Sequence, residues 1–92
     1  MSSKTQLVIL PVEIEVMECL ATILEVTKLK FPQEMFQASV QVKCGDAVSK
    51  VFQITYKDSK ELEYKLMTEV SKFKYALFLY GTKELKSRGL IT

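Results

Sequence analysis

Residues Ser59 to Gly81 read SKELEYKLMTEVSKFKYALFLYG. The stretch has no proline, keeps its one glycine for the end, and is rich in Leu, Met, Glu and Lys, so it is read as a helix. Asp58 offers a side-chain oxygen to the orphan N–H groups of the first turn. Glu61, three residues on, completes a capping box. Gly81 is a natural stop, since it enters positive φ freely. On a wheel advancing about 100° per residue, Leu62, Leu66, Val70, Phe73, Leu77 and Tyr80 fall on one stripe. Tyr64, Met67, Tyr75 and Phe78 form a second stripe roughly opposite, with Ser71 among them. Lys65, Glu69 and Lys72 hold one flank, and Glu63 and Lys74 lie between the stripes. One apolar stripe is enough to make a core. The second is expected to be a protein interface, because Tyr, Met and Phe are the side chains that interface centres favour.

The rest of the chain supplies what the first stripe packs against. Ninety-two residues make a single domain, residues 1–92, with a thin interior. Gln6–Leu10, ended by Pro11, reads as a short strand. In the following segment Val12, Ile14 and Val16 alternate as in a strand, whereas Val16, Leu20, Ile23, Leu24 and Thr27 repeat as on a helix. Helix-forming Met17, Glu18, Leu20, Ala21 and Leu24 favour a helix from Val12 to Lys28, residues 12–16 being open to either reading. Phe36, Ala38, Val40, Val42 and Cys44 then alternate with Gln37, Ser39, Gln41 and Lys43. Gly45-Asp46 supplies a turn, and Phe52, Ile54 and Tyr56 alternate on the return. The expected architecture is therefore α+β, a two-layer β-α-β-β-α domain. It has a three-stranded antiparallel sheet with two helices on one face.

Several function classes are excluded by what these residues lack. Histidine is absent, which removes the usual general base and the commonest metal ligand. No phosphate-binding loop, dinucleotide fingerprint or zinc motif occurs. No catalytic, cofactor-binding or metal-binding residue is assigned, and the chain is not expected to be an enzyme. Cys19 and Cys44 lack paired metal spacing and are expected as reduced, buried thiols in a cytoplasmic protein. No apolar run reaches the length of a membrane span, and the opening residues MSSKTQLVIL do not read as a signal peptide.

The formal charge is +2 overall, −1 up to Tyr56 and +3 from Lys57 onward. Lys43, Lys50, Lys57, Lys83, Lys86 and Arg88 are candidate contacts to a nucleic-acid backbone, of a weak and salt-sensitive kind. Base stacking is not expected, because the polar hairpin face displays Gln, Ser, Thr and Lys rather than aromatics. The leading expectation is a non-catalytic assembly subunit, a homodimer or a heteromer with a larger protein. The alternatives are a small nucleic-acid-binding protein of an archaeon or virus, and a stand-alone structural or inhibitory interaction module.

The order of these elements, the Pro-started segment LPVEIEVMECLATILEV, the Gly-turn hairpin and ITYKDSKELEYKLMTEVSKFKYALFLYG resemble the small dimerising subunit of the KEOPS complex. The resemblance covers residues 6–81. Asp58, Ser59 and Leu62 match the acid-Ser pair and the following Leu that open that family's last helix. Glu63 and Met67 stand where the family usually carries an Arg and an Asn, which implies a divergent paralogue. The resemblance implies a non-catalytic subunit that dimerises and docks the catalytic subunit installing threonylcarbamoyl on tRNA adenosine.

Overall fold

A computed structural model of the chain describes residues 10–30, 33–89 and 91. Five strands precede one helix: β1 (Val12–Val16), β2 (Cys19–Leu29), β3 (Met35–Cys44), β4 (Ala47–Val48), β5 (Phe52–Tyr56) and α1 (Ser59–Ser87). The sheet runs β1-β2-β3, and the far edge of β3 is shared by β4 and β5. All pairings are antiparallel. The helix lies on one face, giving a two-layer α+β domain.

This corrects the expected three-stranded sheet with two helices. The segment Val12–Lys28 is not a helix but the β1–β2 hairpin. Its two-residue loop is Met17-Glu18, both with positive φ (50° and 71°), the conformation whose twist suits a tight hairpin. The expected strand Gln6–Leu10 lies outside the described residues, except for Leu10.

The inward residues of β1 are Val12, Ile14 and Val16, set opposite Ile23, Ala21 and Cys19 of β2. At Leu24 the β2–β3 register shifts by one residue. This β-bulge returns the inward phase to even positions, so that Val26 faces Ala38. On β3 and β5 the expected alternation holds, with Val40 opposite Phe52 and Ala38 opposite Ile54. Gln37, Ser39, Gln41, Lys43, Gln53 and Thr55 occupy the other face, where the Ser39 hydroxyl donates to Gln53 at 3.1 Å.

The return from Gly45-Asp46 is interrupted after β4 by Ser49, a buried polar residue with three roles. Its N–H donates to the Val42 carbonyl (2.8 Å). Its hydroxyl accepts from the Val42 N–H (2.9 Å) and donates to the Lys50 carbonyl (2.9 Å). The side chain thus takes the place of a missing ladder acceptor, and the Val42 N–H is paired.

Val16, Cys19, Ala21, Ile23, Ala38, Val40, Val42 and Ile54 form the main core with Leu66 and Val70 of α1. Cys19 and Cys44 are not separate thiols. They stand opposite each other on β2 and β3 and are joined as a disulfide, with Cα atoms 4.6 Å apart, the spacing of a directly opposed, non-hydrogen-bonded pair. The expectation of two reduced thiols in unrelated elements followed from placing Cys19 in a helix.

Candidate interaction face of the helix

The first turn of α1 forms as its sequence requires. Asp58 is extended and accepts from the Glu61 N–H at 2.9 Å, while the Glu61 carboxylate accepts from the Lys57 N–H at 2.7 Å. That backbone hydrogen bond, aided by Lys65 nearby, holds the Glu61 carboxyl below its ordinary range. Lys65 also reaches across to donate to the Thr55 carbonyl at 2.6 Å, covering the outer edge of β5. At the opposite side of the helix, Lys74 donates to the Met17 carbonyl at 2.8 Å. These two lysines tie α1 to the two sides of the sheet and fix its rotation about its own axis.

That rotation turns Leu66 (1% exposed) and Val70 (0%) onto the sheet, with Leu62 and Phe73 packed beside them. It leaves Tyr64 at 71%, Met67 at 52%, Tyr75 at 64% and Phe78 at 84% exposure. All four side chains expected on the second stripe are therefore brought to one face, Tyr64, Tyr75 and Phe78 mostly exposed and Met67 about half, while Ser71 among them donates to the Met17 sulfur at 3.8 Å. Leu79 is half exposed on the same side, and sequence reasoning missed it. It is two residues past Leu77, on the far side of the wheel from the core stripe, which was a usable signal. Between Tyr64 and Leu79 the remaining members of this face are Thr68 and Ser71, so it carries no charge.

Tyr80 departs from its expected place in the core stripe. Gly81 breaks α1 with φ 79° and ψ 164°, a conformation open to glycine and costly for other residues. The last segment turns back, where Leu85 and Ile91 pack with Ala47 in a second small core. Tyr80 is left at the corner, half exposed, with the Arg88 guanidinium 4.9 Å from its ring centre.

Of the candidate basic residues, Lys57 stands apart from the rest. Lys57 follows Tyr56, which pairs with Phe36, whereas Lys43 pairs with Val48 seven residues along β3. At about 3.4 Å per residue that separates them by roughly 24 Å. Lys50, Lys83 and Lys86 are exposed at the Lys43 end of the sheet and on the last segment of α1, which packs there on Ala47, and Arg88 is held by Glu84 at 2.8 Å. Among the described residues, no three His, Cys, Asp or Glu side chains gather as a metal site, and no helix is long and apolar enough to cross a membrane.

No family model matches the chain, and neither a curated protein nor a solved structure matches it.

Proposed function

We propose that this chain is a non-catalytic assembly subunit that binds protein through the outer face of α1. The observation that carries the reading is the uncharged face from Tyr64 to Leu79, exposed and rich in aromatics on a helix already anchored by its other side. Contiguous apolar patches of this kind mark interaction sites. Burial of a large apolar side chain contributes roughly 1.5–3 kcal/mol, so four of them suffice to hold a complex together.

The tRNA-modification setting implied by the resemblance is the more specific form of this reading. Asp58, Ser59 and Leu62 support it by opening α1 with a cap, as in that family's motif. The hairpin at Val12–Lys28 stands where the family has a helix, and weighs against it. A cytoplasmic location belongs to this specific form. There Cys19 and Cys44 would be thiols, because reducing compartments keep them so.

The reading is tested by affinity capture from an extract of the source cells, with wild type and the Met67→Lys/Phe78→Glu variant as paired baits and nuclease treatment as a third arm. Protein retained by wild type and lost by the variant supports it. Equal retention by both baits, or retention of nucleic acid alone, contradicts it.

A further inference from the structure

The assembly reading says that the outer face of α1 is covered, and the pattern along that face points to what covers it. Tyr64, Thr68, Ser71 and Tyr75 are spaced by four, three and four residues. Steps that alternate four and three keep these residues along one line of the helix, where a second helix can lie. The order is aromatic, small, small, aromatic, and it reads the same in both directions. A self-complementary surface is what a two-fold axis requires. From these features we infer that the occupant is a second copy of this chain, its α1 running antiparallel to the first, with the two-fold axis crossing between Glu69 and Val70.

That register makes consistent contacts. Tyr64 meets the second copy's Tyr75, twice, at the two ends of the seam. Thr68 meets the second copy's Ser71 at the waist, where small side chains let the helix axes approach. Phe78, the most exposed large hydrophobic side chain described in α1, enters between Lys60 and Tyr64 of the second copy, next to its own Tyr75. Each end of the seam is thus a three-ring cluster, an arrangement stabilised beyond its area alone.

Charge is complementary in the antiparallel sense. Glu63 and Lys74 lie on the same flank of the seam, and the register sets Glu63 close to the second copy's Lys74, again twice. On the other flank Lys65 and Lys72 are neutralised within their own chain, by Glu61 at 3.4 Å and Glu69 at 3.3 Å.

The available area is also of the right order. A whole aromatic side chain offers roughly 200 Å², so the exposed fractions of Tyr64, Met67, Tyr75, Phe78 and Leu79 leave about 600 Å² per copy in water. A stable interface removes about 800 Å² per partner, and the stems of Lys60, Lys74 and Glu63 add to the total. The break at Gly81 turns the last helical segment back toward Ala47, so it does not obstruct a helix lying along the seam.

Charge reversal tests the register without touching the aromatic contacts. Dimer dissociation is measured by sedimentation velocity over a dilution series, with circular dichroism confirming the fold. Glu63→Lys is expected to weaken the dimer about tenfold, since it turns two attractive contacts repulsive. Lys74→Glu does the same and also loses the hydrogen bond to Met17. The double variant Glu63→Lys/Lys74→Glu restores both cross-chain contacts, still without the Met17 hydrogen bond, and should bind more tightly than either single variant. A dimer indifferent to these reversals but split by Phe78→Glu would overturn the antiparallel register while leaving the face an interface. A wild-type monomer that binds a different protein through the same face would overturn self-pairing and spare the assembly reading. A wild-type monomer with no partner for this face would overturn both.

Discussion

The two faces of α1 are nearly equal in apolar content and opposite in fate. Leu62, Leu66 and Val70 point at a sheet face made of Ile23, Val40 and Ile54, and are shielded. Tyr64, Met67 and Phe78, in the same turns of the same helix, are in water among the described residues. What separates them is the kind of apolar group. The inner face is aliphatic over its central turns, and aliphatic side chains fill a core without polar remainder. The outer face combines rings, a thioether, phenolic hydroxyls, Thr and Ser. Such side chains tolerate water while free and still lose much area when covered. Hydrophobicity therefore places a residue on a stripe, and its chemical type says whether that stripe is built for the interior or for contact.

The sharpest way to break this contrast is a matched pair of substitutions. Leu66→Asp places an unpaired carboxylate among Val40, Ile54 and Val70 at a cost of several kcal/mol, about the whole stability of so small a domain. It should unfold the protein, as seen by circular dichroism. Tyr64→Asp puts the same charge on the outer face and should leave the folded spectrum nearly unchanged, lowering the melting temperature only by what the lost dimer contributed. Equal damage from the two would mean that the faces do not differ.

A second test concerns the sheet under the inner face. Cys19 and Cys44 close a loop with a sequence separation of 25, for which the chain-entropy account gives about 3 kcal/mol. Reductant should lower the melting temperature by a corresponding amount in wild type and not in a Cys19→Ser/Cys44→Ser variant. Identical melting of wild type with and without reductant would contradict the cross-link.

The hairpin loop offers a smaller gain. Glu18 holds positive φ without being glycine, at a cost of roughly 1 kcal/mol. Its ion pair with Lys74 is long, at 4.0 Å, and almost fully exposed. Glu18→Gly should raise stability by about 1 kcal/mol in denaturant titration. A loss instead would show that the Glu18 side chain matters to the loop.

The smallest effect belongs to the helix start. The carboxyl of Glu61 is held below its unfolded value by the Lys57 N–H. Its contribution is therefore complete above the unfolded pKa and lost as the pH falls through the lower, folded one. Glu61→Gln should remove this segment of the acid dependence of stability. An unchanged acid limb of the pH–stability curve would assign it to other carboxylates.

How much of this was legible follows from the same physics. In α1 one period runs unbroken from Leu62 to Leu77, and both caps carry their usual residues, so the helix and both stripes were readable. The β3–β5 alternation was readable for the same reason. In β1–β2 the period of two is broken twice, first by the loop at Met17-Glu18 and then by the bulge at Leu24. Val16, Leu20, Ile23, Leu24 and Thr27 thus stand at helical spacing, although Leu20 and Leu24 are exposed in the sheet. The loop lacks the Asn or Gly that signals such a turn, and its residues are good helix formers. The alternation of Val12, Ile14 and Val16 pointed to a strand, the signals after Val16 pointed to a helix, and the sheet overrode the latter by burying Ala21 and Ile23 against α1. The cysteine pair was lost with that misreading, since only the register of β2 on β3 brings the two together. The outer stripe was legible as a pattern, but its exposure depended on knowing that no first helix exists to cover it.

The central claim is that the outer face of α1 exists to be covered by protein. Sedimentation equilibrium of the purified chain at micromolar concentration tests it most directly, with wild type and Met67→Lys/Phe78→Glu run side by side. The account predicts a wild-type mass above that of one chain and a variant that is folded and monomeric. A wild type that sediments as a single chain, with a melting temperature that the double substitution does not change, would contradict it.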